Sequence, residues 1–133
     1  ALGDDSGLVV DALDGRPGIY SARFAGEPSN ADDNIDKLLH ELDGMPDNQR
    51  SASFYCCLVY LQSADDPAPL IATGRWPGRI LEQRSGDGGF GYDPIFYDPV
   101  LGNTAAELPA EQKNRVSHRG RALQQLLAML RVD

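Results

Sequence analysis

Three clusters in this 133-residue sequence hold side chains able to do chemistry. The first, Gly3-Asp4-Asp5-Ser6-Gly7, puts two neighbouring carboxylates and a hydroxyl beside a strand, an oxygen-rich setting suited to a hard cation such as Mg²⁺. Two carboxylates cannot hold Mg²⁺ alone, so other oxygens have to complete its shell. The flanking glycines read as a tight turn, and the plain alternative is an Asx turn in which Asp4 or Asp5 caps its own backbone. Asp5-Ser6-Gly7 also matches the D-[ST]-G triplet of aspartic proteases. Asp4 spoils the apolar lead-in of that motif, and a helical final third is foreign to an all-β protease.

The second cluster is the glycine-dense loop Ser85 to Asp93. Gly86, Gly88 and Gly91 satisfy G-x-G-x-x-G, yet a dinucleotide site requires a helix to open there, and Pro94 with an apolar stretch follows instead. What the loop offers is Phe90 and Tyr92 beside Asp93, able to stack a flat ring and hydrogen-bond its edge. A hairpin turn with core aromatics is the competing reading. The third cluster, Lys113, Ser117, His118, Arg119 and Arg121, is a cationic patch in an acidic chain, although helix-surface charges are usually just solvated. Gly120 costs about 1 kcal/mol relative to alanine inside a helix, which points to a close approach of backbone or ligand.

These residues have to be positioned by a small set of elements. Leu8 to Leu13 reads as a strand closed by the turn chemistry of Gly15-Arg16-Pro17-Gly18. Between Ser29 and Gly44, Ser29 or Asn30 is an N-cap, and Ile35, Leu38, Leu39 and Leu42 recur at helical spacing. Ser53 to Leu61 predicts a strand buried on both faces. Leu70 to Trp76 and Arg79 to Gln83 flank Pro77-Gly78, as a hairpin or as one strand with a bulge. Pro94 to Tyr97 is extended. Thr104 to Glu107 has capping-box spacing, Pro109 suits a first helical turn, and Leu123, Leu126, Leu127 and Leu130 form a stripe on a helix that ends the chain. The expected fold is α/β with a mixed sheet, and no repeat or linker interrupts it.

The balance of 12 Lys+Arg against 20 Asp+Glu gives a net charge of −8, which argues against a nucleic acid polymer as partner. No apolar run approaches the length of a membrane span and no leader opens the sequence, so the reading is a soluble, cytoplasmic protein. Cys56 and Cys57, as strand neighbours, point to opposite faces and are poorly placed to pair.

Four motifs occur in a specific order: Asp4-Asp5-Ser6-Gly7-Leu8, Pro17-Gly18-Ile19-Tyr20-Ser21-Ala22-Arg23, Phe90-Gly91-Tyr92-Asp93-Pro94-Ile95-Phe96 and Ser117-His118-Arg119-Gly120. Trp76-Pro77-Gly78 and Ala105-Ala106-Glu107-Leu108 lie between them. Together they strongly resemble the Ham1/RdgB-type inosine triphosphate pyrophosphatase family, over essentially the whole chain. The family's S/T-G-N-x-x-K phosphate loop and metal-binding glutamate have no match, so the resemblance places residues 1–133 on the C-terminal two-thirds of the family fold as a single domain. It implies a two-lobed α/β fold around a long mixed β-sheet with flanking helices, a homodimer, Mg²⁺ dependence, and hydrolysis of ITP, dITP and XTP to the monophosphate and pyrophosphate. By the same resemblance Asp5 is the catalytic, metal-binding proton acceptor, with Asp4 a supporting carboxylate, and Ser6 contacts substrate. Phe90, Gly91, Tyr92 and Asp93 hold the purine, with Lys113, His118 and Arg119 on the helical side.

Overall fold

The computed structural model describes residues 1–130. Six strands form one sheet: β1 (Leu2–Val10), β2 (Pro17–Gly18), β3 (Ser51–Tyr60), β4 (Leu70–Ile80), β5 (Phe96–Asp98) and β6 (Asn103–Thr104), in the order β2-β1-β3-β4-β5-β6. Helix α1 (Ala31–Glu41) lies between β2 and β3, and α2 (Ala110–Val116) and α3 (His118–Leu130) end the described chain. The expected α/β architecture is present, but the five strand pairings among the described residues are all antiparallel rather than mixed.

The Asp4-Asp5 pair lies mid-strand, not in a turn. β1 pairs residue for residue with β3, Asp4 opposite Leu58 and Asp5 opposite Cys57, so the ladder satisfies the backbone that a turn would have left to side chains. Alternation along a strand then sends the two carboxylates to opposite faces. One face carries Leu8, Val10, Phe54, Cys56, Leu58 and Trp76, all buried, while Ile71, Thr73 and Arg75 on the other are exposed. β3 is therefore buried on the first face and only half-buried on the other, where Tyr55, Cys57 and Val59 lie. Cys56 is buried, Cys57 half-buried, and both are free thiols.

Two hydrophobic clusters share the covered face. The larger joins Leu8, Val10, Phe54, Trp76 and Phe96 to Ile35 and Leu38 of α1 and to Leu42 just after it. The smaller sets Ala122 and Leu126 of α3 on Cys56, Leu58 and Ala72. α1 starts where Asn30 accepts the Asp33 N–H at 3.2 Å, the side-chain cap expected of that residue type. Of the leucine stripe on α3 only Leu126 is buried, with Leu123, Leu127 and Leu130 left exposed. Helix persists to Leu130, and the chain end lies outside the described residues.

Leu70 to Ile80 is one continuous strand through Pro77-Gly78. Glu107 accepts the Thr104 N–H at 2.7 Å, but α2 opens only after Pro109. The terminal helix is a pair rather than a single rod, broken at Ser117, whose hydroxyl accepts the Gly120 N–H at 3.1 Å and caps α3. A Cβ on Gly120 would fall 1.9 Å from the Asn114 carbonyl oxygen, and one on Gly74 would fall 2.0 Å from that of His118. The close approach suspected at Gly120 is therefore to the backbone of α2, while Gly74 seats the first turn of α3 on the sheet. No described helix is long and apolar enough to cross a membrane.

Candidate active site

Between α1, β1, the glycine loop and the α2–α3 corner lies a cavity of about 340 Å³, within the size range of small-molecule sites. Its lining includes Ser6, Ser21, Asn34, Phe54, Phe90, Gly91, Tyr92, Asp93, Lys113 and His118. Three distant stretches of sequence therefore converge on one space.

The wall is mostly apolar, and several of its polar groups are already hydrogen-bonded. Asn34 accepts the Ala25 N–H at 2.8 Å and donates to the Ala22 carbonyl at 3.0 Å. The Ser21 hydroxyl accepts the Leu8 N–H at 2.8 Å and donates to Gly18 at 2.6 Å. The Tyr92 hydroxyl donates to the Ser21 carbonyl at 2.6 Å, and burial raises its pKa, so it stays a phenol. These groups shape the cavity and tie β1 to the loops around it.

The reactive edge is built by the glycine loop and α2. Asp93, buried in a short turn, accepts the Phe90 N–H at 2.9 Å and pairs with the Lys113 ammonium. Gly89 makes this possible, since its φ is +72° and a Cβ there would press within 2.2 Å of the Asp93 carboxylate. The Lys113 Nζ also lies 4.5 Å from the centre of the Phe90 ring, a cation–π distance. Phe90 itself is 73% exposed, a large flat apolar surface held at the mouth rather than used in the core.

His118 opens α3 and stacks on Phe54, ring centres 4.9 Å apart and 19° from parallel. Burial, then the neighbouring Arg119 charge, lowers its pKa to about 4, against weaker opposing pulls from Asp93 and Asp4. The imidazole is neutral at pH 7, with one donor and one acceptor nitrogen. Its Nδ1 is buried without a hydrogen-bond partner.

Ser6, Phe90, Gly91, Tyr92, Asp93, Lys113 and His118 thus share one cavity. Asp5 does not line it. On the opposite face Asp5 borders a recess of about 130 Å³, and Ser6 and Gly7 line both spaces, so the two adjoin at that point of β1. Arg119 also stays outside the cavity lining, its Nε held 2.9 Å from the Asp4 carboxylate. Among the described residues no three His, Cys, Asp or Glu side chains converge to hold a metal ion. A Mg²⁺ held by one exposed carboxylate with water and phosphate oxygens is a familiar arrangement, and Asp5 fits that limited part.

Phe54, Ser21 and Asn34 were not singled out from the sequence as site residues. Phe54 carried only a strand signal, and the marker for Asn34 was a polar residue next to the apolar positions of α1.

Comparison with known proteins supplies the family. The model of the Ham1 family matches residues 1–129. A dITP/XTP pyrophosphatase of Photorhabdus laumondii is 60% identical over 131 residues, and one of Pectobacterium atrosepticum is 59% identical; each match takes in 98% of this chain and 66% of the relative. The chain thus spans about two-thirds of the length of these curated relatives. The structure of a HAM1 protein from Coxiella burnetii superposes with a TM-score of 0.92 at 48% identity, over 98% of this chain and 66% of that one. A nucleoside-triphosphatase / dITP/XTP pyrophosphatase from Mycobacterium abscessus gives 0.82 at 45%, over 98% and 65%. With residues 1–129 matched by the family model and its fold superposing on solved members, this chain belongs to the Ham1 family.

Proposed function

We propose that this chain carries the base-reading part of a nucleoside triphosphate pyrophosphatase that hydrolyses ITP, dITP and XTP to the monophosphate and pyrophosphate, clearing deaminated purines from the nucleotide pool. The observation that carries this reading is the convergence, at one cavity, of an exposed aromatic ring, a lysine ammonium and a neutral imidazole. The names of the relatives, dITP/XTP pyrophosphatase, agree with it.

Phe90 offers a face on which a purine stacks, and Lys113 offers hydrogen-bond donors beyond the one engaged with Asp93. Deamination of adenine turns a 6-amino donor into a 6-keto acceptor, which an ammonium can donate to, whereas adenine sets donor against donor and leaves buried groups unpaired. Sites built on such a hydrogen bond discriminate by up to about 10⁴-fold. His118, held neutral and with Nδ1 buried, offers the cavity a single ring nitrogen, Nε2, without adding charge.

The phosphates then lead from the cavity past Ser6 toward Asp5. Mg²⁺ bound with the phosphates would neutralise their charge and polarise the α-phosphorus. Asp5 is the carboxylate that would contact it and accept the proton of the attacking water. The new bond is water oxygen to α-phosphorus; the broken bond is α-phosphorus to bridging oxygen, and pyrophosphate leaves. A homodimer and a cytoplasmic location accompany this reading.

The test is pyrophosphate release from ITP, dITP, XTP, ATP and GTP with Mg²⁺, by this chain and by a form that also carries the family's phosphate loop and metal-binding glutamate. Release by the longer form, selective for the first three, is expected, and it should be lost in Asp5→Asn. Binding of ITP with no release would identify a nucleotide-binding module instead, and neither binding nor release would refute the proposal.

A further inference from the structure

The two aspartates of β1 face opposite sides of the sheet. Asp4 shares the covered face with Ser6, Leu8 and Cys56, since Asp4 pairs with Leu58 and Ser6 with Cys56 across the β1–β3 ladder. There its carboxylate is a hub. Oδ1 accepts the Ser6 hydroxyl at 2.9 Å and lies 3.6 Å from the Cys56 thiol, while Oδ2 meets the Arg119 Nε at 2.9 Å. Cys56 remains protonated at neutral pH because burial raises its pKa, so it faces the carboxylate as a donor.

We infer that Asp4 is a positioning residue: through one carboxylate it orients the Ser6 hydroxyl on β1 and the Arg119 guanidinium at the first turn of α3, fixing the substrate-facing strand to the helix that carries His118. This rests on the nucleotide reading of the cavity.

Three observations support it. A carboxylate committed to three donors on one face is poorly available to a metal ion on the other, so the consecutive aspartates are not a bidentate pair. Arg119 follows His118 directly and is kept out of the cavity lining by this contact; its position is therefore set by Asp4 and not by the cavity. Ser6 is the residue at which the cavity and the Asp5 recess adjoin, so turning its hydroxyl toward Asp4 fixes the groups along the substrate path.

An isolated, partly exposed ion pair contributes little to stability. Asp4 has 30% of its side chain exposed and Arg119 60%, so the expected consequence is in ligand affinity and not in folding.

The experiment is calorimetric titration of ITP, without divalent metal, into the unaltered chain, Asp4→Asn, Arg119→Gln and the double variant. Asp65→Asn serves as the control, having the same charge change at an exposed position that lines neither space. Asp4→Asn and Arg119→Gln are each expected to weaken ITP binding about fivefold, the equivalent of about 1 kcal/mol, and the double variant no more than either alone. Asp65→Asn should bind as the unaltered chain does. Asp4→Glu keeps the charge but displaces it, and should behave like Asp4→Asn if position is what matters. Thermal melts confirm that each variant is folded. Unchanged affinity in Asp4→Asn and Asp4→Glu, or additive losses in the double variant, overturns the positioning role while leaving the nucleotide reading intact. Failure of the unaltered chain to bind ITP overturns the nucleotide reading and this role with it.

Discussion

Breaking the Lys113–Asp93 pair tests the energetics of the cavity edge. The carboxylate side chain is only 5% exposed and that of the lysine 17%, so neither is a surface charge. With Nζ and Oδ2 2.5 Å apart, two unit charges attract by about 7 kcal/mol at an effective dielectric of about 20. That is an upper limit, because bringing both out of water takes back part of it. Asp93→Asn keeps the shape and an oxygen for the Phe90 N–H, but leaves the ammonium beside the cavity without its counter-charge. Lys113→Met keeps the stem and leaves the carboxylate unpaired in turn. Each change should lower unfolding stability by about 2 kcal/mol, since the orphaned charge carries most of the penalty. The double variant, with no charge left to orphan, should recover at least about 1 kcal/mol relative to the sum of the singles. Urea unfolding of the four proteins measures this coupling through shifts of midpoint at constant slope. Losses that add to within about 0.5 kcal/mol would mean that the pair is solvated and the edge is not held as described.

Further outcomes follow from the same geometry. Phe90→Ala should weaken ITP binding by about 10- to 100-fold, the range of base–aromatic stacking, with an unchanged melting temperature because the ring is 73% exposed; a large melting shift would instead make Phe90 a core residue. His118 has a folded pKa near 4, below its ordinary value of 6.5, so the unfolded chain takes up the proton first. Its contribution to stability is present above pH 6.5 and lost as pH falls from there through 4, a loss that His118→Phe should remove from the pH dependence of urea midpoints. Gly120→Ala should destabilise the α2–α3 corner, because the added Cβ meets the Asn114 carbonyl oxygen at 1.9 Å; circular dichroism melts would show it, and an unchanged or higher melting temperature would contradict the close approach.

Legibility in the sequence followed the range of the interactions. α1 was readable because its signals are local: the Asn30 cap and the spacing of Ile35 and Leu38 depend on a few turns of chain. Gly120 was suspect for the same reason, its helical neighbours being adjacent. The Asp4-Asp5 pair misled as a turn because what holds it extended is β3, some fifty residues away. Arg50 carried no signal at all. It is 2% exposed and donates to the carbonyls of Leu42, Met45, Ile80 and Leu81, joining the end of α1 to the end of β4, where composition alone assigns arginine to the surface. The site divided in the same way. The family motifs brought Ser6, Phe90, Lys113 and His118 to attention, but the opposite facing of Asp5 and the retention of Arg119 by Asp4 depend on strand register and helix docking, which no spacing encodes.

The central claim is that the cavity between β1, the glycine loop and the α2–α3 corner reads a 6-keto purine, and the most direct measurement is a competition titration of ITP against ATP on the unaltered chain. The donor arrangement at Lys113 and His118 predicts that ITP binds at least about tenfold more tightly than ATP, the equivalent of one lost hydrogen bond. It also predicts that Lys113→Met removes most of that preference. Equal affinity for the two nucleotides, or a preference that survives Lys113→Met unchanged, would contradict it.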